Sequence, residues 1–183
     1  MSTKARTFSP ARISGWRATA VLVVTAWLVP VLVHLLPWAG ARPLGVYVLP
    51  VFWATFLAVY FHGGLLGAAV GLVTPAVNLL LTGLPGLKAA GPMSMEVGFF
   101  ALGAALIVRR WPDFRFAAPL AWIAAKALTI AMASAVPALG GSGHPFQHLL
   151  RSASNGLAGL AVLAVINVLL VAFCPKTDAW ENE

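Results

Sequence analysis

The sequence predicts an all-α integral membrane protein, a compact bundle of six transmembrane helices with both termini cytoplasmic. Composition is the first reason: 60% of the residues are hydrophobic, only 9% are charged, and mean hydropathy is +0.88, far from the balance of a soluble domain. Segment length is the second. Crossing about 30 Å of hydrocarbon takes roughly 20 apolar residues, and such runs lie at 17–36, 44–61, 64–82, 93–108, 117–139 and 152–173. Charge distribution is the third. Lys4, Arg6, Arg12 and Arg17 precede the first run, Arg109, Arg110 and Arg115 lie between the fourth and fifth, and Lys176 follows the sixth. Lys and Arg favour the cytoplasmic side, so both ends and the 109–116 loop are expected inside. Loops 37–43, 83–92 and 140–151, which carry only Arg42, Lys88 and Arg151, are expected outside.

These runs occupy nearly the whole chain, with no repeat, low-complexity tract or long linker between them. One membrane domain over 1–183 is therefore expected, with 1–16 as a cytoplasmic N-terminal segment and 174–183 as a cytoplasmic tail. The formal charge of +7 does not imply a nucleic-acid partner, because the basic residues flank apolar spans instead of forming a soluble basic face with interleaved aromatics. A signal peptide is the rival reading of the first run, with Ala39-Gly40-Ala41 as a small-residue cleavage site. The run Ala18 to Leu36 exceeds the usual apolar core of about 7–15 residues and better suits a retained helix. The lone Cys174 excludes an internal disulfide and gives no redox or zinc pattern.

With this orientation the outer half of the membrane is the richer in polar groups. His34 ends the first run, Asn78 and Thr82 end the third, Ser94 and Glu96 begin the fourth, and Ser152 and Asn155 begin the sixth; the inner half offers chiefly Asn167. A charged group at mid-membrane costs roughly 2.5–3.5 kcal/mol on insertion scales, so Glu96 and Lys126 need protein or water around them. A rise of 1.5 Å per residue puts Lys126 about 14 Å from the inner surface and Glu96 about 5 Å below the outer one, an expected separation of roughly 11 Å. A lysine stem narrows such a gap, leaving an ion pair open alongside separate ligand contacts or a structural network.

Helical spacing aligns Gly64, Gly67, Gly71, Pro75, Asn78 and Thr82 on one face of the third run, with small residues below and polar ones above. The glycines suit close helix packing, and Pro75 is placed to bend the helix and free carbonyls near Asn78. Trp122, Lys126, Thr129 and Ala133 share a face of the fifth run; Ser152, Asn155 and Gly159 share one on the sixth. Trp122 and Asn155 each also fit ordinary packing between helices. As a set, Asn78, Thr82, Glu96, Trp122, Lys126 and Asn155 are the candidate binding residues.

No phosphate loop of the G-x-x-x-x-G-K-[ST] type occurs, nor H-E-x-x-H, G-x-S-x-G or paired membrane aspartates. No catalytic residue, cofactor or metal is therefore assigned, and any ATP dependence must come from a partner. His144 and His148 stand four apart in H-P-F-Q-H, but Pro145 and the missing acidic ligand favour a loop or lid over a metal site.

Residues 49–106 contain "GAAVGLVTPAVNLLLTGLPG" followed by "PMSMEVGFF". This stretch resembles the substrate-binding S components of energy-coupling factor (ECF) vitamin transporters, through Gly67, Gly71, Pro75, Leu81, Thr82, Gly83, Pro85, Pro92, Met93 and Glu96. Gly86 after Pro85 and Phe99-Phe100 after Glu96 depart from the commoner pattern. The resemblance implies a six-helix subunit of the bacterial cytoplasmic membrane that captures a vitamin or vitamin precursor outside. It implies partners too: a transmembrane coupling subunit and two cytoplasmic ATPases, met through small residues of the first helix. Here Ser14 and Ala18 lie one turn apart but Leu22 follows. A structural scaffold of an envelope or cell-shape complex is the alternative class, and a small intramembrane enzyme using Glu96 as a base is a third.

Overall fold

The computed structural model describes residues 16–37, 39, 44–135 and 145–175. Of these, 87% are helical and none is in a strand. In chain order the helices are α1 (Trp16–Leu35), α2 (Leu44–Val48), α3 (Pro50–His62), α4 (Gly64–Thr82), α5 (Leu87–Arg110), α6 (Ala117–Ala135), α7 (Pro145–Asn155) and α8 (Leu157–Phe173). Three of them, α4, α5 and α6, are long and apolar enough to cross a membrane; α7 from Leu149 and α8, bent by 68° at their junction, make a fourth if the pair is one broken span, and a re-entrant loop otherwise. Val23–Val33 and Pro50–His62 are shorter apolar stretches. The exterior is also apolar: Leu65, Leu80, Leu106 and Leu120 are exposed on α4, α5 and α6. Such a surface is unusual for a water-facing monomer and suits contact with lipid.

Glycine lets α4 sit at the centre of this arrangement, between α3 and α5. A Cβ at Gly67 would overlap Val59 of α3, and one at Gly71 would lie 2.9 Å from Val97 Cγ1 of α5 and 3.1 Å from Thr55 Cγ2 of α3. Gly63 does something different: at φ 86° it turns the chain between α3 and α4, a conformation most side chains resist. Pro75 lies within an uninterrupted α4, and the Asn78 carbonyl accepts a 2.8 Å bond from the Thr82 hydroxyl. Deeper in the bundle, Phe52 meets Phe100 and Trp122 edge-on at ring centroid distances of 5.2 and 6.3 Å, with Phe56 and Leu163 completing the buried centre.

Two polar ties fix α8. Fully buried Asn167 accepts from the Ala118 N–H at 2.9 Å and donates to the Phe114 carbonyl at 3.2 Å, so it caps the start of α6 from across the bundle. The Tyr60 hydroxyl donates to the Cys174 carbonyl at 2.8 Å, joining the ends of α3 and α8.

Two expected loops contain helix instead. The 83–92 loop shrinks to Gly83–Gly86, because α5 begins at Leu87. Within 140–151, residues from Pro145 onward belong to α7. Ser14, His144 and the rest of 136–144 lie outside the described residues, as do the side chains of Ala18, Leu22, His34 and His148.

Candidate functional site

The early start of α5 changes the depth of its one carboxylate. With Leu87 as the first helical residue, Glu96 lies nine residues along, about 14 Å from that end, instead of about 5 Å. Lys126 is nine residues into the antiparallel neighbour α6, also about 14 Å from its start. The expected 11 Å separation is thus removed. Lys126 Nζ donates to Glu96 Oε2 at 2.6 Å, and the two side chains are only 17% and 10% exposed. In an apolar surround neither charge is stable alone, so each supplies the other's counter-charge.

Trp122 occupies the turn of α6 below Lys126. The ammonium nitrogen lies 5.6 Å from the indole centroid, within cation–π range. The ring is 1% exposed, and its Nε1 has no hydrogen-bond partner among the described residues. Its Cζ2 edge faces α7–α8, since a Cβ added at Gly156 would come within 3.6 Å of that atom. Three parts of the bundle therefore meet around one aromatic ring: α5 through Glu96, α6 through Lys126 and Trp122, and the α7–α8 junction through Gly156.

The remaining candidates occupy other positions. Asn78 is 1% exposed, its side-chain Oδ1 without a partner among the described residues, on the face of α4 that continues the glycine stripe. Thr82 is engaged in the turn after α4, donating to the Asn78 carbonyl and accepting from the Leu84 N–H at 3.2 Å. Asn155 is the last residue of α7, immediately before the break, and half-buried. The expected face of Ser152, Asn155 and Gly159 does not persist, because the 68° bend separates the first two from the third.

Beside the ion pair a cleft of about 20 Å³ opens between α5 and α6, lined by Pro92, Met95, Phe99, Thr129, Met132 and Ala133. A site for a drug-sized molecule needs roughly 300–1,000 Å³, so this cleft as it stands holds no vitamin. Among the described residues no three His, Cys, Asp or Glu side chains converge as metal ligands would. Leu49, Gly156 and Gly159, which bring the helix breaks together, were not among the sequence candidates. The Leu49-Pro50 and Asn155-Gly156 pairs are the local signals, since proline restricts the residue before it and glycine after asparagine interrupts a helix. Comparison with protein-family models, curated proteins and solved structures returns no match.

Removing one charge strands the other, so Lys126→Met alone should destabilise the protein by about 3–5 kcal/mol. Adding Glu96→Gln should recover much of that loss, read as thermal unfolding midpoints in one detergent. A double variant less stable than the single one would show that the two groups are not energetically coupled.

Proposed function

We propose that this chain is the substrate-binding membrane subunit of an ECF-type importer, which captures a vitamin or vitamin precursor on the extracytoplasmic side. One observation carries the reading: the buried Glu96–Lys126 pair stands beside the Trp122 ring, whose N–H has no hydrogen-bond partner among the described residues. Buried polar groups normally find partners, and an orphan donor beside a charged pair is the kind of group a ligand completes. The resemblance of 49–106 to S components supports the same assignment and supplies the substrate class.

In this proposal the chain makes six passes through the bacterial cytoplasmic membrane: α1, the interrupted α2–α3, α4, α5, α6 and the bent α7–α8. The N-terminal segment, the 109–116 loop and the tail face the cytoplasm with their basic residues. The sequence carries no phosphate loop, so a coupling subunit and two ATPases supply the energy, and the chain itself catalyses no reaction. A structural scaffold is the competing reading, favoured by the 2.6 Å closure of the ion pair within the protein.

Retention of cargo separates the two. Native mass spectrometry of the detergent-purified protein should release one small molecule in near-stoichiometric amount; a protein carrying none, and binding none from a vitamin panel by calorimetry, is a scaffold.

Topology has its own test. A cysteine introduced as Asp113→Cys in a Cys174→Ser background should react with membrane-impermeant maleimide only after the cells are opened. Labelling from outside intact cells would reverse the orientation.

A further inference from the structure

The helix before the last one sorts its residues by face. In α7, Phe146, Leu149, Leu150 and Ala153 recur at steps of three and four and so share one side, while Gln147, Arg151 and Ser154 share another. The bundle uses only half of the apolar side. Leu149 is half-buried and Ala153 packs on the core, but Phe146 and Leu150 are 69% and 54% exposed. Gln147, Arg151 and Ser154 are exposed as well, and Arg151 forms no ion pair among the described residues.

The direction of α7 decides what meets these faces. It is bent by 68° from α8, closer to perpendicular than to parallel. Its 11 residues span about 16 Å, of which only about 6 Å runs along the α8 axis. With 17 residues, α8 is about 25 Å long and by itself near the length of a crossing. Membrane helices tilt by about 20° on average, enough to bring α7 into the plane of the bilayer surface. Were α7 to continue the crossing, the exposed Gln147, Arg151 and Ser154 would face hydrocarbon, where an unpaired guanidinium is strongly disfavoured.

We propose that α7 lies in the membrane surface, with Phe146 and Leu150 among the acyl chains and Gln147, Arg151 and Ser154 among the headgroups, and that α8 alone makes the last crossing. The lipid boundary offers apolar and polar partners side by side, as the two exposed faces require. It also continues the apolar exterior formed by Leu65, Leu80, Leu106 and Leu120. At headgroup level Arg151 meets lipid phosphate, which its planar fork suits. A helix held there fixes the depth of the α7–α8 junction and of Leu49 packed against it, since a Cβ at Gly159 would lie 2.5 Å from Leu49 Cγ. The inference needs only a membrane-embedded bundle and holds for a transporter or a scaffold alike.

The test places the full chain, in a Cys174→Ser background, in nanodiscs of phosphatidylethanolamine and phosphatidylglycerol. A nitroxide label is attached to one introduced cysteine at a time: Phe146→Cys, Gln147→Cys, Leu150→Cys or Ser154→Cys. Power saturation with oxygen and with a nickel chelate then reads depth. Labels at 146 and 150 should lie about 5–10 Å into the boundary between headgroups and acyl chains, and those at 147 and 154 on its aqueous side. Four labels in hydrocarbon would make α7 part of a broken span or a re-entrant loop. Four labels open to nickel would lift α7 off the membrane. Labels at 146 and 150 shielded from both reagents would put protein, such as a second copy, over them. Each of these three results would overturn the surface helix and leave the substrate-binding proposal standing. The unaltered protein supplies a second measurement: photolabelling from a lipid-borne diazirine, mapped by mass spectrometry, should mark Phe146 and Leu150 and spare Gln147, Arg151 and Ser154. Equal marking of both faces, or of neither, would contradict the proposal even where a cysteine variant fails to fold.

Discussion

A carboxylate and an ammonium group held together inside an apolar bundle constrain everything near them. Glu96 and Lys126 lie midway along two antiparallel helices, and at 2.6 Å they permit little sliding of α5 past α6. Each would cost several kcal/mol alone in such surroundings, so the pair sets the register between the helices more than it adds stability. That register places Trp122, one turn from Lys126, against the break between α7 and α8. It also places Met95, Phe99, Thr129 and Met132 on the walls of the adjoining cleft.

Packing and backbone geometry divide the work around this pair. Glycines bring α4 close to α3 and α5, while Phe52, Phe56, Phe100 and Trp122 fill the apolar centre on the other side of α3 and α5. Asn167 and Tyr60 anchor α8 near its far end through bonds to backbone groups of α6, its preceding loop and the chain just beyond α8. The opposite end of α8 has no side-chain cap. Irregular backbone at membrane depth is tolerated where it is buried in protein or lines a cavity. The firmly bonded end thus suits an anchor, and the start of α8 is held by packing against Leu49 instead.

Much of the fold was legible because hydropathy is a local property. The apolar run at 64–82 has the bounds of α4, and α6 begins at Ala117 as expected. The α5 start was not legible, since Lys88, Gly91 and Pro92 make residues 87–92 look like a turn to any hydropathy window. Those six residues are about 9 Å of helix, which is nearly the error in the depth assigned to Glu96. The candidate site was partly legible for the same reason. Glu96, Lys126 and Trp122 stood out as polar or amphipathic groups in hydrocarbon, and they do meet. The joining of Asn167 to Ala118, 49 residues away, and of Leu49 to Gly159 depends on tertiary packing that no spacing within one helix reveals. Asn78 and Asn155 were chosen for depth and for a shared helix face; the structure keeps Asn78 on the α4 glycine face, while the bend after α7 separates Asn155 from Gly159.

Within the bundle Glu96 is the ionised partner of Lys126. The chain has only 5 Asp and Glu residues, which makes one carboxylate resolvable by infrared difference spectroscopy in lipid bilayers. Subtracting the Glu96→Gln spectrum from that of the unaltered protein at neutral pH should isolate the stretches of an ionised carboxylate. Finding instead the carbonyl stretch of a protonated acid would contradict the ion pair and the register and site built upon it.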